Sequence, residues 1–401
     1  MASLAVQEMN SQGDLLQLFR SGRASTRNDV RRLTGLARST VAYKIDALLN
    51  AGFLVEDGSL ADGRGRPSTR LRVNNHQTTV LAADLGMTHG RLAVSTAAGE
   101  VLAEAVIESL ISRDPETVLT LIAQEFDRLW QQVDRPKASL RGIGMGVPGP
   151  VDWASGRIAR SISMPGWDNY PVRQHLIDQY AVPAVVDNDA NMLGLGEQRR
   201  IYPDAHLVLF VKVGTGIGAS VILDGNLLRG SASAEGDIGH AKVRGITETC
   251  STCGATGCLA ATASGRAMAR DLRRLGRQAD TTNDVVNLVR AGDAEAVRIV
   301  TDAGRALGEV LSTAVSLLNP DVVVIGGDIA HAHEHFLLGV RSAVLERSQP
   351  LASANLIITP TKLGDRAGIA GVSEMVADAI FSSAAVDAAI GAIAPSHHTR
   401  G

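Results

Sequence analysis

From residue 79 onward one local pattern recurs: a short apolar run stops at a polar or glycine-rich turn, and a helical stretch often follows. Five such runs stand out, at 79–88, 142–152, 185–191, 207–218 and 322–328. Apolar runs of this length bounded by turn residues read as buried strands, and strands alternating with helices build an α/β fold. Ligands in open α/β sheets sit beyond the carboxyl ends of the strands, so the residues closing each run are the ones to examine. Asp84-Leu85-Gly86-Met87-Thr88 offers a carboxylate for a hydrated metal and donors for a phosphate, although many hairpins contain the same pattern. Asp187-Asn188-Asp189-Ala190-Asn191 crowds four polar residues onto one strand end. Asp189 there can take a proton from a hydroxyl that Asn188 positions, or either residue can simply cap the helix that follows. Gly214-Thr215-Gly216-Ile217-Gly218 suits a phosphate loop or an ordinary hairpin. Ile325-Gly326-Gly327-Asp328 ends a strand in the manner of a nucleoside site.

A chain of 401 residues exceeds one ordinary core and implies two or three domains. Its content of 45% hydrophobic and 20% charged residues is that of a soluble globular protein, not a disordered one. No apolar run is long enough to span a bilayer, and the first residues lack the basic flank and apolar core of a secretion signal. A cytoplasmic protein with no membrane partner is therefore expected. The net charge of -3 is unevenly spread: residues 1–75 carry eleven basic and seven acidic side chains. A basic end on an acidic body suits a polyanion bound by that end alone.

Three helical patterns fill the first 52 residues. Leu15, Leu16, Leu18 and Phe19 form one apolar stripe, and Ser25 or Thr26 caps a second segment reaching about Leu33. After the Gly35 turn, Val41, Ile45, Leu48 and Leu49 face inward on a third helix that Gly52 ends. Two short helices joined by a glycine turn describe a helix-turn-helix, or a small protein-binding module. In the former case Arg38, Ser39, Thr40, Tyr43 and Lys44 lie on the part that enters the major groove. The runs 53–55 and 71–73 then read as a hairpin, or wing, with Arg64 and Arg66 at its glycine-rich tip. Such a tip fits the minor groove, where arginine is attracted to narrow A·T stretches; a flexible linker is the plainer reading. At the other end, the alanine-rich residues 382–401 read as a fading helix and a polar tail.

All three cysteines, Cys250, Cys253 and Cys258, fall within nine residues, and His240 precedes them by ten. An odd and tightly spaced set cannot form a disulfide framework. One imidazole and three thiolates make a closed tetrahedral set for a structural Zn2+, tying the loop of His240 to a glycine-rich knuckle.

Taken together, these motifs resemble the ROK family (repressors, open reading frames and sugar kinases), and within it the bacterial transcription regulators. The resemblance runs from the helix-turn-helix to Gly326-Gly327, and its most specific pieces are the His/Cys set and the Asn188-Asp189 pair. It implies a winged helix-turn-helix over residues 1–77, then two actin-like, ribonuclease H-like α/β subdomains with a cleft between them. The first would span 78–190 and be completed by a C-terminal helix at about 370–390, and the second, with the zinc site, would span 191–370. A homodimer or homotetramer is also implied. The resemblance further implies that Asn188, Asp189, Asp237, His240 and Ser163 contact a sugar or sugar phosphate, Asp189 matching the catalytic base of the kinases. Three departures weaken the kinase pattern. Met87 replaces a glycine that lets phosphate approach, Asp237 replaces a longer Glu, and Ala260 replaces a sugar-binding Glu. The first two cysteines also stand one residue further apart than the usual Cys-x-Cys. A regulator is therefore expected, not an enzyme, with Asp189 vestigial, an operator duplex and a sugar effector as partners. The alternatives are an ATP-dependent sugar kinase with an accessory N-terminal domain, or a sugar-binding scaffold whose head recruits protein.

Overall fold

A computed structural model describes residues 10–60, 68–108, 111–159 and 164–393. Its first helices are α1 (Gln12–Arg20), α2 (Arg27–Thr34) and α3 (Arg38–Asn50). Local chemistry starts two of them. Ser11 and Asp14 exchange side-chain to backbone hydrogen bonds at the head of α1, and Thr26 and Asp29 do the same for α2. Each such cap is worth about 1 kcal/mol. Thr26, not Ser25, is the cap; Ser25 instead donates to the Asp29 carboxylate. Gly35 ends α2 with φ of 71°, a left-handed geometry that glycine adopts without a steric penalty. Val41, Ile45 and Leu48 of α3 are buried, whereas Leu49 is half-buried. Strand β1 (Leu54–Leu60) then pairs antiparallel with β2 (Ser68–Val73). Arg64 and Arg66 lie between them, outside the described residues.

The body holds two five-stranded sheets built on the same plan. The first contains β3 (Thr79–Leu85), β4 (His89–Thr96), β5 (Val101–Glu108) and β6 (Leu140–Val147), with α4 (Pro115–Trp130) preceding β6. A small hairpin, β7 (Val151–Asp152) and β8 (Arg157–Ile158), and α5 (Val172–Tyr180) lead to its last strand, β9 (Ala184–Asn188). The order is β5-β4-β3-β6-β9, an antiparallel meander extended by two strands parallel to β3. Helix α6 (Asp189–Ile201) crosses to the second sheet, which begins with β10 (Leu207–Val213), β11 (Ile217–Leu223) and β12 (Asn226–Leu227). Helices α7 (Ala260–Ala263), α8 (Gly265–Arg274), α9 (Thr282–Arg290) and α10 (Ala294–Leu318) intervene before β13 (Val322–Gly326). After α11 (His333–Arg347) and α12 (Pro350–Ser353) comes β14 (Ile357–Pro360), giving the order β12-β11-β10-β13-β14. The five recurrent runs of the sequence are thus β3, β6, β9, β10 and β13, the strands at the centre of the sheets and on their parallel sides.

The chain then runs through α13 (Ala367–Ile380) and α14 (Ser383–Ile393). The alanine-rich end is therefore no fading helix as far as residue 393. Helix α14 packs on α1, and Val386 is fully buried in one apolar core with Leu15, Leu16 and Ile45. Between the sheets lie α6, against β10 and β11, and α13, against β3 and β6. These two helices touch backbone to backbone. A methyl group on Gly196 would overlap the Ala367 carbonyl, and one on Gly371 the Met192 carbonyl. The outer face of the second sheet is covered by α10 and α11 through Leu307, Leu311, Phe336 and Val340. Each such side chain contributes about 1.5–3 kcal/mol by leaving water. Among the described residues no single helix is long and apolar enough to cross a membrane.

The helix contact generates a test. Gly371→Ala should lower urea-unfolding stability by about 1–3 kcal/mol through overpacking. Gly391→Ala, on an exposed stretch of α14 with open space around it, should change it little.

Candidate functional site

Strand register brings the polar strand ends together. Asp84 on β3 lies beside Gly146, and Asn188 on β9 beside Val147, while Lys212 on β10 lies beside Gly326 of the second sheet. These ends open on one cavity of about 540 Å3, lined by both sheets and of a size that suits a small molecule.

Asp189 opens α6, where the helix dipole favours a negative charge, and its buried carboxylate accepts a hydrogen bond from Lys212 Nζ. Burial works against the Lys212 charge, but Asp189 and Asp84 more than offset it and hold the ammonium above its ordinary range. Asp84 is not compensated in this way. Burial, reinforced by Asp189 and opposed by Lys212, pushes its carboxyl up to about 7. Room for that carboxyl comes from Gly368 of α13, where any side chain would overlap it.

The other residues of the polar cluster mostly fix one another. Asn188 caps the helix: its Oδ1 accepts from the Ala190 N–H at 2.9 Å, while its Nδ2 donates to the Gly149 carbonyl at 3.0 Å. Asp187 accepts from the Asn188 backbone at 2.6 Å, from Asn191 Nδ2 at 2.9 Å and from Arg229 Nη2 at 2.5 Å. Arg229 follows β12 of the second sheet, so this ion pair ties the two sheets across the cavity. Its guanidinium also lies 4.1 Å from the Trp153 ring centroid, and Ser233 accepts the Trp153 backbone N–H at 3.1 Å. Met87 and Ala260 line the same cavity, whereas Ser163 lies outside the described residues. Sequence reasoning missed Lys212, Arg229 and Trp153. Only Lys212 carried a signal, as the one charge in the strand Leu207–Val213.

One wall of the cavity carries the His/Cys cluster. Ligand atoms of His240, Cys250 and Cys253 lie within 4.8 Å of one another, and Cys258 Sγ stands 3.6 Å from Cys253 Sγ. His240 Nδ1 is held by both oxygens of Asp237, at 2.7 and 2.9 Å. Its Nε2 is buried without a hydrogen-bond partner, an arrangement that costs free energy unless something else binds there. A backbone hydrogen bond from Ala255 pulls the Cys253 thiol below its usual range, while burial pushes Cys258 above it. Lys242 Nζ, 3.3 Å from Cys258 Sγ, favours a thiolate there. These donors fit a thiophilic divalent ion.

On α3, Arg38 and Ser39 are exposed, Tyr43 is 70% exposed, and Thr40 and Lys44 are half-buried. Neither Arg38 nor Lys44 has an acidic partner among the described residues. The N-terminal half of α3 therefore presents cationic and hydrogen-bonding groups to solvent.

Asp84 gives a pH-dependent expectation. Its carboxyl is protonated in the fold at pH values where the unfolded chain is ionised, so it opposes folding increasingly as pH rises from about 4 to about 7. Asp84→Asn should raise the urea midpoint, and by more at pH 8 than at pH 5; the reverse order would contradict this environment.

Comparison with known proteins now adds the lineage. The chain is 28% identical to a xylose repressor of Caldicellulosiruptor bescii over 382 residues, 92% of this chain and 95% of the repressor. A glucokinase of Halalkalibacterium halodurans is 29% identical but matches only 73% of this chain, and 92% of its own length. A crystal structure of a ROK family transcriptional regulator, a homolog of the Escherichia coli Mlc protein, covers 96% of this chain and 99% of its own. It superimposes with a TM-score of 0.78 at 24% identity. The ROK family profile matches residues 80–379, three quarters of the sequence, and the chain belongs to that family.

Proposed function

We propose that this protein is a DNA-binding transcription regulator of carbohydrate genes, with a sugar or sugar-phosphate effector bound in the cleft between its sheets. The observation that carries this reading is the extent of the repressor match: 92% of the chain, against 73% for the glucokinase. Residues 1–77 would form the DNA head, with Arg38, Ser39, Thr40, Tyr43 and Lys44 on the groove face and Arg64 and Arg66 at the wing tip. Residues 78–190, completed by the C-terminal helical stretch at about 370–390, and residues 191–370 would form the two halves of the sensor. Such a protein works in the cytoplasm as a homodimer or homotetramer on a two-fold operator.

In the cleft, Asp189 would accept a sugar hydroxyl while Lys212 keeps its carboxylate oriented. Asn188 and Ser163 would add hydrogen bonds. Zinc, when bound, is a structural clamp without chemistry of its own. His240 through its free Nε2, with Cys250, Cys253 and Cys258, would hold it, and Asp237 would orient the His240 ring. Asp237 and His240 thereby also shape the sugar wall.

The kinase reading draws support from the glucokinase relative and from Asp189 itself. Against it stand the Lys212 ammonium on the candidate base, Met87 where phosphate would approach, and Ala260 without a carboxylate.

Anisotropy of the full chain on a labelled duplex from upstream of its own gene, over a salt series and a sugar panel, decides between the readings. Specific binding that one sugar changes at least about fivefold is expected. Asp189→Ala should lose the sugar response while the chain still binds the duplex specifically. ATP consumption on the same sugars, without specific DNA binding, would make the kinase reading the correct one.

Elemental analysis of the purified chain should find about one zinc per protomer. Cys253→Ser should lose most of it and lower the melting temperature, since metal binding adds to folding free energy. A zinc-free parent with full stability would remove the metal from the account.

A further inference from the structure

Helix α6 begins at Asp189 on the cavity floor and runs thirteen residues, roughly 20 Å at 1.5 Å per residue. Every residue from Asp189 to Gln198 is buried. Backbone contact with α13 at Gly196 and Gly371 packs the helix closely between the cavity and its far end. That end carries Arg199 and Arg200. Arg199 Nη2 binds Asp378 Oδ2 of α13 at 2.6 Å, and its Nη1 lies 3.4 Å from Glu374 Oε2. Arg200 Nη2 binds the other oxygen of Glu374 at 2.5 Å. Arg199 also donates to the Gly225 carbonyl at 3.0 and 3.1 Å, at the β11–β12 turn of the second sheet.

The second oxygen of Asp378 is not free. Arg20 Nη2, at the C-terminal end of α1, binds Asp378 Oδ1 at 2.7 Å. The Arg20 guanidinium lies 5.8 Å from the Phe381 ring centroid, and Gln17 Nε2 donates to the Phe381 carbonyl at 2.7 Å. Further along α1, the Gly13 N–H donates to Asp387 of α14 at 2.7 Å. One carboxylate therefore holds, on its two oxygens, the far end of the helix that starts in the cleft and the last residue of the first N-terminal helix.

We infer that Asp378 is a positioning residue that couples the cleft to the N-terminal helices, sharing its charge between Arg199 and Arg20 so that the placement of α1 follows the end of α6. The inference rests on the regulator reading and names how the effector signal leaves the sensor. Arg199 follows α6 and the second sheet together, so closing or opening of the two sheets around a ligand shifts its guanidinium relative to α13. Asp378 then keeps or loses its hold on Arg20. Coupling of this kind is reciprocal: whatever the effector does to DNA affinity, DNA does to effector affinity.

The decisive variant is Asp378→Asn in the full chain, which keeps the shape of the side chain and removes its charge. D-xylose and D-glucose serve as sugar probes and the upstream duplex as DNA. The variant should bind sugar as the parent does by calorimetry and bind DNA without sugar within about threefold. Its sugar-induced change in DNA affinity should fall at least about fivefold, and Asp378→Glu should recover part of it. A full sugar response in Asp378→Asn would overturn the inference. A second arm needs neither sugar nor DNA. Lys212→Met perturbs the cleft end of α6. Made in the parent, it should change amide exchange in α1 about threefold or more; added to Asp378→Asn, it should leave that exchange unchanged. Equal α1 exchange in the parent, the two single variants and the double variant would also overturn the inference. If the parent ignores both sugars and the duplex, the regulator reading falls, and the exchange arm still decides the coupling.

Discussion

The closeness of α6 and α13 sets most other distances in this molecule. Gly196 and Gly371 let two backbones meet where side chains would hold them apart, and the pair fills the space between two sheets. The consequence at the cleft is direct. Gly368, on the first turn of α13, leaves room for Asp84, and Asp189, on the first turn of α6, faces the same cavity from the other helix. Larger residues at these glycines would separate the sheets and open the strand ends that make the site.

Charge in the cleft is compensated internally. Lys212 answers Asp189, and Arg229 answers Asp187 and approaches Glu235, while Asp237 accepts a hydrogen bond from the His240 ring. Removing one partner of a buried pair of the Lys212–Asp189 kind costs about 3–5 kcal/mol, because the remaining charge stays desolvated. The paired side chains are therefore held in place before any ligand arrives. Pre-positioned hydrogen-bonding groups suit recognition of a polyhydroxy ligand, since little side-chain freedom is lost on binding.

The N-terminal helices share an apolar core with the body. Leu15, Leu16 and Leu18 of α1 belong to the same buried cluster as Val376 and Ile380 of α13 and Val386 of α14, and Phe53 meets Phe381 edge to face with centroids 6.3 Å apart. The last helices of the chain thus join its first, although the pattern of the sequence changes near residue 78. N-terminal helices held by a continuous core and by the Arg20–Asp378 ion pair are positioned by the body, not loosely tethered to it.

Much of this was legible in the residues themselves. The five apolar runs ended in turns because strands alternate with turns at short range, the caps Thr26 and Asn188 used neighbours two or three residues away, and the cysteine spacing predicted one cluster. Such features depend on interactions within a few residues, which a linear pattern records. The partnerships that shape the cleft do not. Lys212 meets Asp189 across 23 positions, Arg229 meets Asp187 across 42, and Arg20 meets Asp378 across 358. Nothing local selects them: the packing of the two sheets against each other around α6 placed the first two pairs, and the packing of α1 and α6 on the C-terminal helices placed the third. By itself the sequence determined the kinds and order of the elements and the chemistry at each strand end. Only the tertiary structure decided which charges face one another, because that choice belongs to the packing of whole sheets and helices.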